Sequence, residues 1–207
     1  EFIIIIFLIL LNLNSTKVFS AEEFIFEVSN LEITDNGNIY KGKNRGKIIA
    51  DTQLELVSNN FEYLKKINQL KAEGDVKLFD SKNNISISAE TIFYFKDKDK
   101  ISTIGKTSIK ISKNYTIEGH DLTLLMDKMI LSSNKKTTIK DKVLNQYTLE
   151  NFYYFIDQEI LKGDNIKVSI NKNNQANGDK FLIKNGFFDL KENKFLAKNI
   201  TANLRKD

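Results

Sequence analysis

The chain has 207 residues, with no Cys, Pro or Trp and a single His. Its 31 basic and 27 acidic residues give a formal net charge of +4, and 41% of the chain is hydrophobic, which is typical of a folded globular protein. The two signs of charge are mixed along the chain, which argues against a nucleic-acid-binding protein, since that function requires a basic patch. A His–Cys catalytic pair and the usual zinc sites also lack the residues that they need.

The N-terminal segment contains an unbroken apolar run, residues 2–11 (FIIIIFLILL). This run is shorter than the roughly 20 residues that span a bilayer, and its length matches the apolar core of a signal peptide. Val18 and Ser20 stand at positions −3 and −1 of a cleavage site before Ala21. We therefore predict a signal peptide over residues 1–20 and export of the protein; an uncleaved anchor or a buried strand is the alternative. Because the sequence opens on Glu1 with no preceding basic segment, we expect the start of the protein to lie upstream.

Residues 21–37 are predicted to form an N-terminal extension or edge strand, and a pattern of period two follows. Residues 85–89 (ISISA), 109–111 (IKI) and 166–170 (IKVSI) alternate apolar and polar side chains, as half-buried strands do. Turn-forming residues separate such runs, at 35–38, 80–84, 96–100, 133–136 and 171–174. The one candidate helix, residues 59–70, is interpreted as strand, turn and strand. The pattern predicts an all-β fold.

The strands recur as units of about 30 residues. Residues 48–51 (IIAD), 87–90 (ISAE) and 117–120 (IEGH) share a local pattern, with a weaker fourth copy at 149–151 and a longer first interval. Return strands are introduced by glycines, at Gly74, Gly105 and Gly163. A fixed period of this length is typical of stacked repeats, which bury a continuous core together. We predict one elongated domain of antiparallel strand repeats over residues 38–207, whose open edges are covered by Lys or paired with a partner's strand.

The chemistry of an enzyme is absent from the pattern. His120 occupies a polar position of the repeat, which predicts a solvent-facing strand residue. Asp97 and Asp99 lie in a Lys-rich turn, which favours a solvated charge cluster. No spacing predicts two carboxylates converging on a cleft, as in glycosidases. We predict no catalytic residue, metal site or cofactor; the alternative is a polysaccharide-cleaving enzyme that depends on Asp97 or Glu90.

The alternating apolar residues form a predicted inward-facing set. In one interpretation they make an ordinary core; in the other the sheets close incompletely and leave a groove for acyl chains. The set is Leu54, Leu56, Leu78, Ile87, Ala89, Ile92, Tyr94, Ile109, Ile111, Ile117, Leu122, Leu124, Leu149, Phe152, Tyr154, Ile166 and Val168. A bulge near Glu90 would reverse which later side chains face inward.

Three segments resemble a known family. Residues 71–78 (KAEGDVKL) and 87–94 (ISAETIFY) resemble the paired strands of OstA-like domains, which are shared by LptA, LptC and the N-terminal part of LptD. Residues 186–199 resemble the end of the periplasmic domain of LptD, before its outer-membrane barrel. The resemblance covers residues 37–207.

The resemblance implies an elongated β-jelly roll, or β-taco, with V-shaped sheets. Its interior would carry the lipid A acyl chains of lipopolysaccharide, received in the periplasm and passed to the outer membrane. The expected partners are an LptA-like protein, joined by edge-strand pairing, and an outer-membrane barrel supplied by the same chain or by another. Some LptD proteins tie this domain to the barrel with cysteines, a device that is unavailable here.

Two other functions remain open. A free-standing LptA-like bridge would differ from an LptD-like domain in the reading frame after Asp207, which would stop rather than continue into the alternating segments of a barrel. A structural β-solenoid or adhesin would have a filled, dry core and carry no lipid.

Overall fold

The computed structural model describes residues 17–21, 24–50, 53–112, 114–171, 178–192 and 194–204. The apolar run at 2–11 therefore lies outside the described residues, while the last part of the predicted signal peptide belongs to the first strand. The described strands are β1 (Lys17–Ala21), β2 (Phe24–Thr34), β3 (Ile39–Ala50), β4 (Leu54–Ser58), β5 (Asn60–Leu64), β6 (Gln69–Asp80), β7 (Ile85–Phe95), β8 (Lys100–Ile111), β9 (Tyr115–His120), β10 (Thr123–Leu125), β11 (Ile130–Ser133), β12 (Thr137–Lys140), β13 (Gln146–Leu149), β14 (Asn151–Phe155), β15 (Ile160–Ser169), β16 (Lys180–Asp189) and β17 (Lys194–Asn203). Short 3-10 turns lie at Asp35–Gly37, Lys65–Ile67 and Lys96–Lys98.

These strands form one long antiparallel meander. Several neighbouring segments act as one interrupted strand. β4 and β5 do so, because β3 pairs with β4 through residues 46–50 and with β5 through residues 39–42. The pairs β9 and β10, β11 and β12, and β13 and β14 are interrupted in the same way. The all-β prediction of stacked antiparallel repeats is confirmed, and residues 59–70 form the expected strand, turn and strand.

The long strands β2, β3, β6, β7 and β8 are irregular near their middles. The pairing register shifts between Val28 and Asn30, between Glu73 and Val76, and between Ala89 and Thr91. Bulges of this kind bend a strand and increase its twist. We call the line of irregularities across the sheet the hinge. Gly74 and Gly105, with φ of 78° and 80°, lie on this line. The expectation that they introduce return strands is wrong, because both lie inside strands, at bends that require positive φ.

The turns form two rows, one at each end of the strands. In the first row, rim 1, Asn68, Asp99, Met129 and Glu159 all have positive φ and stand 30 or 31 residues apart. Backbone hydrogen bonds connect successive turns, as from Lys96 N to Asn68 O at 3.0 Å. Rim 2 comprises the turns that follow β3, β6, β8, β12 and β15. The repeat of about 30 residues is therefore present as a stack of strand pairs.

The prediction that the first interval of the repeat is longer than the others is wrong. Ile48 lies on β3, which runs from rim 1 toward rim 2, whereas Ile87 and Ile117 lie on β7 and β9, which run away from rim 2. Residues 48–51 are thus not equivalent to the other copies. The local patterns match because alternating apolar and polar residues look alike in either strand direction.

The sheet folds back on itself along the hinge. Phe24 and Ile33 stand at opposite ends of β2, about 30 Å apart along an extended strand. Ile33 pairs with Tyr40, which in turn pairs with Tyr63. Yet the rings of Phe24 and Tyr63 are 4.6 Å apart between centroids. The part of the sheet between the hinge and rim 1 (half-sheet 1) therefore packs against the part between the hinge and rim 2 (half-sheet 2), and the core lies between them.

Candidate functional site

The interior between the half-sheets collects the inward-facing set that the sequence predicts. Of those seventeen residues, sixteen are buried, and Ala89 at the hinge is half-buried. The bulge considered near Glu90 is present as the register shift between Ala89 and Thr91. It shifts the alternation of inward and outward side chains along β7 by one residue. Ile87 and Ile92 therefore both point inward although five positions separate them. Whether these side chains contact a lipid stays a prediction.

Many further interior residues are not in the predicted set. The omitted buried residues include Phe24, Phe26, Val28, Phe61, Tyr63, Leu70, Val76, Ile101, Tyr115, Leu131, Ile139, Tyr147, Leu161, Ile183 and Phe188. Phe24, Phe26 and Val28 belong to the segment assigned to an N-terminal extension, and they form part of the core through β2. Their spacing of two residues was the available signal, because it continues the alternation of the later strands.

The N-terminal end of the interior is filled by aromatic side chains. Phe26 stacks on Tyr40 at 5.6 Å, and Phe24 makes edge contacts with Tyr63 at 4.6 Å and Tyr94 at 6.2 Å. Lys96 of rim 1 places its Nζ 5.7 Å from the centre of the Phe24 ring, which belongs to the rim 2 end of β2. Aromatic packing and a cation–π contact thus hold the two half-sheets together here.

The two rims are joined again near the middle of the array. Tyr115, at the rim 2 end of β9, donates its hydroxyl to Glu159 Oε2 of rim 1 at 2.6 Å. The Tyr115 ring also packs edge-on against Tyr154 at 5.5 Å. Burial and the adjacent Glu159 carboxyl hold the pKa of both tyrosines well above its ordinary value. Both hydroxyls therefore remain protonated at physiological pH, and the Tyr115 hydroxyl acts as the donor of a bond across the opening.

The C-terminal end of the interior contains an open apolar pocket of about 240 Å³. Its walls come from both half-sheets. The apolar lining consists of Tyr147, Val168, Ile170, Phe181, Ile183, Phe188, Leu190 and Phe195. Phe181 and Phe195 face each other across it at 6.1 Å. The pocket remains open because β17 is an edge: its inward-facing Ile200 is 46% exposed, whereas Phe26 of β2, which β1 covers, is 0% exposed.

Charged and amide groups surround the mouth of this pocket. Asn145, Asp179, Asp189 and Lys194 line it beside the apolar wall. Burial, reinforced by the nearby Asp141 carboxylate, raises the pKa of Tyr147 to about 12. The result is an apolar cleft with a polar border, an arrangement that suits an amphipathic ligand with its apolar part inside.

The side chains considered for catalysis are dispersed. His120 is exposed at the end of β9, as expected, and Asp97 accepts a hydrogen bond from Asn68 Nδ2 at 2.8 Å within rim 1. Glu90 lies at the hinge beside Gly105. Among the described residues, no group of three or more His, Cys, Asp or Glu side chains is placed to bind a metal ion. Nor does the described part of the chain contain a helix of sufficient length and apolar character to cross a membrane.

Comparison with known proteins shows that solved structures share this architecture, LptH among them. The fold is similar to that of LptH. That protein is described as the LptA-homologous periplasmic component of the conserved lipopolysaccharide transport device from Pseudomonas aeruginosa. The likeness has a TM-score of 0.50 at 14% sequence identity and covers 54% of this chain and 81% of LptH. At this identity it concerns the fold, and it supports the expected β-jelly roll. No family model and no curated protein matches the sequence.

Proposed function

We propose that this chain is a periplasmic module that binds lipopolysaccharide by its acyl chains and passes it toward the outer membrane. The observation that carries the proposal is the apolar pocket between the half-sheets, open at the β17 end and bordered by polar groups. Each CH₂ group transferred from water to such a surface contributes about 0.8 kcal/mol. A lipid with several acyl chains therefore requires a long apolar interior to leave a membrane.

The proposal is supported by the fold and by the predicted signal peptide. LptH, which has a similar fold, is a periplasmic component of a lipopolysaccharide transport device. In this chain the pocket continues into a core that runs the length of the sheet, so widening of the V at the open end would extend the apolar surface. Binding and release of a lipid require no catalytic group.

Edge pairing is the proposed route to partners. β1 pairs with residues 24–28 of β2, and cleavage before Ala21 would remove most of β1. The edge of β2 would then be free for a strand of an LptA-like protein, since an unpaired edge readily accepts another strand. We propose an LptD-like role, in which the β17 end faces an outer-membrane barrel; a free-standing LptA-like bridge would use the same two edges with soluble partners.

The test compares two adjacent positions on β16. Phe181 lines the pocket, whereas Leu182 is 45% exposed on the outer face. A photocrosslinking residue at position 181 is expected to capture purified lipopolysaccharide, and one at position 182 is not. Likewise, Phe181→Glu should abolish lipopolysaccharide binding, and Leu182→Glu should leave it unchanged, with circular dichroism reporting the fold of both variants.

Two outcomes would contradict the proposal. Equal capture at positions 181 and 182 would show that lipid contacts the surface without entering the interior. No capture at either position, by a folded protein, would favour a structural β-solenoid with a filled core.

A further inference from the structure

The outer face of half-sheet 1 changes character along the array. On the early strands, neighbouring outer residues are oppositely charged: Lys41 pairs across strands with Glu62, at 3.4 Å between their charged groups, and Glu62 pairs with Lys71. On the last strands the same row becomes largely apolar. Tyr153 is 54% exposed and Leu196 is 77% exposed, although both side chains are large and apolar.

These late residues form one wall of a trough. Tyr153 pairs with Lys162, Lys162 with Phe187, and Phe187 with Leu196, so the four side chains lie side by side across β14 to β17. Lys162 Nζ lies 5.6 Å from the centre of the Phe187 ring. This wall therefore presents aromatic surface with a cation beside it.

The opposite wall is polar and lies two residues away along each strand. Asn151 pairs with Asp164, Asp164 with Asn185, and Asn185 with Lys198. Asn185 Nδ2 donates to Asp164 Oδ1 at 2.6 Å, and Asn151 Nδ2 donates to Asp164 Oδ2 at 3.2 Å. Because each amide uses one N–H in this way, its carbonyl oxygen and second N–H are held in a fixed orientation for a ligand.

The dimensions of the trough define its occupant. The trough is open to solvent and has a volume of about 490 Å³, its walls are about 7 Å apart, and polar side chains recur at about 4.8 Å across the strands. An extended β-linked glycan is a straight ribbon whose successive sugar units can follow the row of strands. Its flat C–H face suits an aromatic wall, and its hydroxyl and acetamido groups suit alternating amide and carboxylate partners. An added peptide strand would instead run parallel to β17, at a right angle to the trough.

We propose that this trough binds an extended, β-linked, N-acetylated oligosaccharide of two or three sugar units. Phe187 and Tyr153 stack on the sugar rings, while Asn151, Asp164 and Asn185 hydrogen-bond their polar substituents. The site lies on the outer face of the sheet, so it is separate from the interior proposed for acyl chains.

Calorimetric titration of the full chain with chitotetraose, a β-linked N-acetylglucosamine oligomer, tests the proposal. Chitotetraose is expected to bind with a Kd below about 1 mM. Maltotetraose, whose α-linked chain curves, should bind at least about tenfold more weakly because it cannot follow the straight row of strands. Since chitotetraose has no acyl chain, the result is independent of lipid binding.

Variants locate the binding. Tyr153→Ala and Leu196→Lys, both at exposed positions, should weaken chitotetraose binding by about tenfold each. Phe79→Ala removes an aromatic ring that is 44% exposed on the outer face of β6, away from the trough, and should leave binding unchanged. The proposal is overturned if folded wild-type protein does not bind chitotetraose, if maltotetraose binds as well, or if Phe79→Ala weakens binding as much as Tyr153→Ala.

Discussion

At the scale of single residues, buried tyrosines distinguish this interior from a purely aliphatic core. A buried hydroxyl normally requires a partner, and Tyr63 has one, since its hydroxyl donates to Asn68 Oδ1 at 2.7 Å. The Tyr154 hydroxyl is buried without a hydrogen bond of good geometry to the described residues, and its polar neighbour, the Tyr115 hydroxyl, already donates to Glu159. The two residues are therefore a matched pair in which the same chemical change has opposite consequences.

Tyr154→Phe is expected to leave the free energy of unfolding unchanged or to raise it, because an unsatisfied buried polar group costs about 1–3 kcal/mol. Tyr63→Phe should lower it by about 1 kcal/mol through the loss of a hydrogen bond. Urea unfolding of both variants measures the difference. An equal loss of stability in both would mean that Tyr154 has a partner after all.

Alkaline pH should weaken the fold through Tyr147. Its pKa is about 12 in the folded protein, against an ordinary value of 10.0. Above pH 10 the unfolded chain loses this proton while the folded chain retains it, so the unfolded state binds fewer protons and stability falls by about 1.4 kcal/mol per pH unit up to pH 12. The free energy of unfolding of Tyr147→Phe, measured from pH 9 to 12, should fall less steeply than that of wild type.

At the scale of elements, the hinge requires side chains that replace missing backbone partners. Between β9 and β10, the backbone N–H of Leu122 donates to Thr103 Oγ1 at 2.9 Å, and Thr107 Oγ1 donates to the same oxygen at 2.7 Å. Both threonines are buried. The strand can bend here because the hydroxyl accepts the hydrogen bond that the ladder no longer provides.

Thr103→Val should therefore lower the free energy of unfolding by about 1–3 kcal/mol, since it leaves the Leu122 N–H without an acceptor. The control is Thr123→Val on β10, whose half-buried hydroxyl has only a 3.5 Å contact with Ser102 Oγ. Its effect should stay within about 0.5 kcal/mol. Chemical denaturation compares the two, and a similar loss for both would contradict this role of Thr103.

At the scale of the whole molecule, the array is unequal at its two ends. With β1 paired to β2, that end buries Phe24 and Phe26 completely, whereas inward-facing Ile200 of the edge strand β17 is nearly half exposed. In a stack whose units contact mainly their neighbours, stability follows local burial. Amide hydrogen exchange followed by mass spectrometry should therefore show β16 and β17 exchanging before β6 to β8, and uniform protection would contradict this gradient.

The sequence predicted the strands well because alternation reports which face of a strand is buried. Ile87, Ile109 and Ile111 were all assigned correctly to one face by this rule. It indicated the bulge near Glu90 but not the rest of the hinge, because a Gly with positive φ serves equally in a turn or in a bulge. Only pairing with distant strands decides that Gly74 lies inside β6. The sequence offered a groove as one interpretation but not its location, because the pocket results from the position of β17 at the edge; of the predicted set only Val168 lines it.

The bond between Tyr115 and Glu159 has a topological consequence. Consider a cargo whose tails lie between the half-sheets and whose head lies outside the rims. This bond joins the two rims at 2.6 Å and so closes the opening through which head and tails are connected. Such a cargo cannot move past the bond while it remains intact, because its head and tails are on opposite sides. In the proposed function, movement of the lipid along the array then becomes a discrete step, with a resting position on either side of the bond. The height of the barrier between the two positions is set by one hydroxyl and one carboxylate.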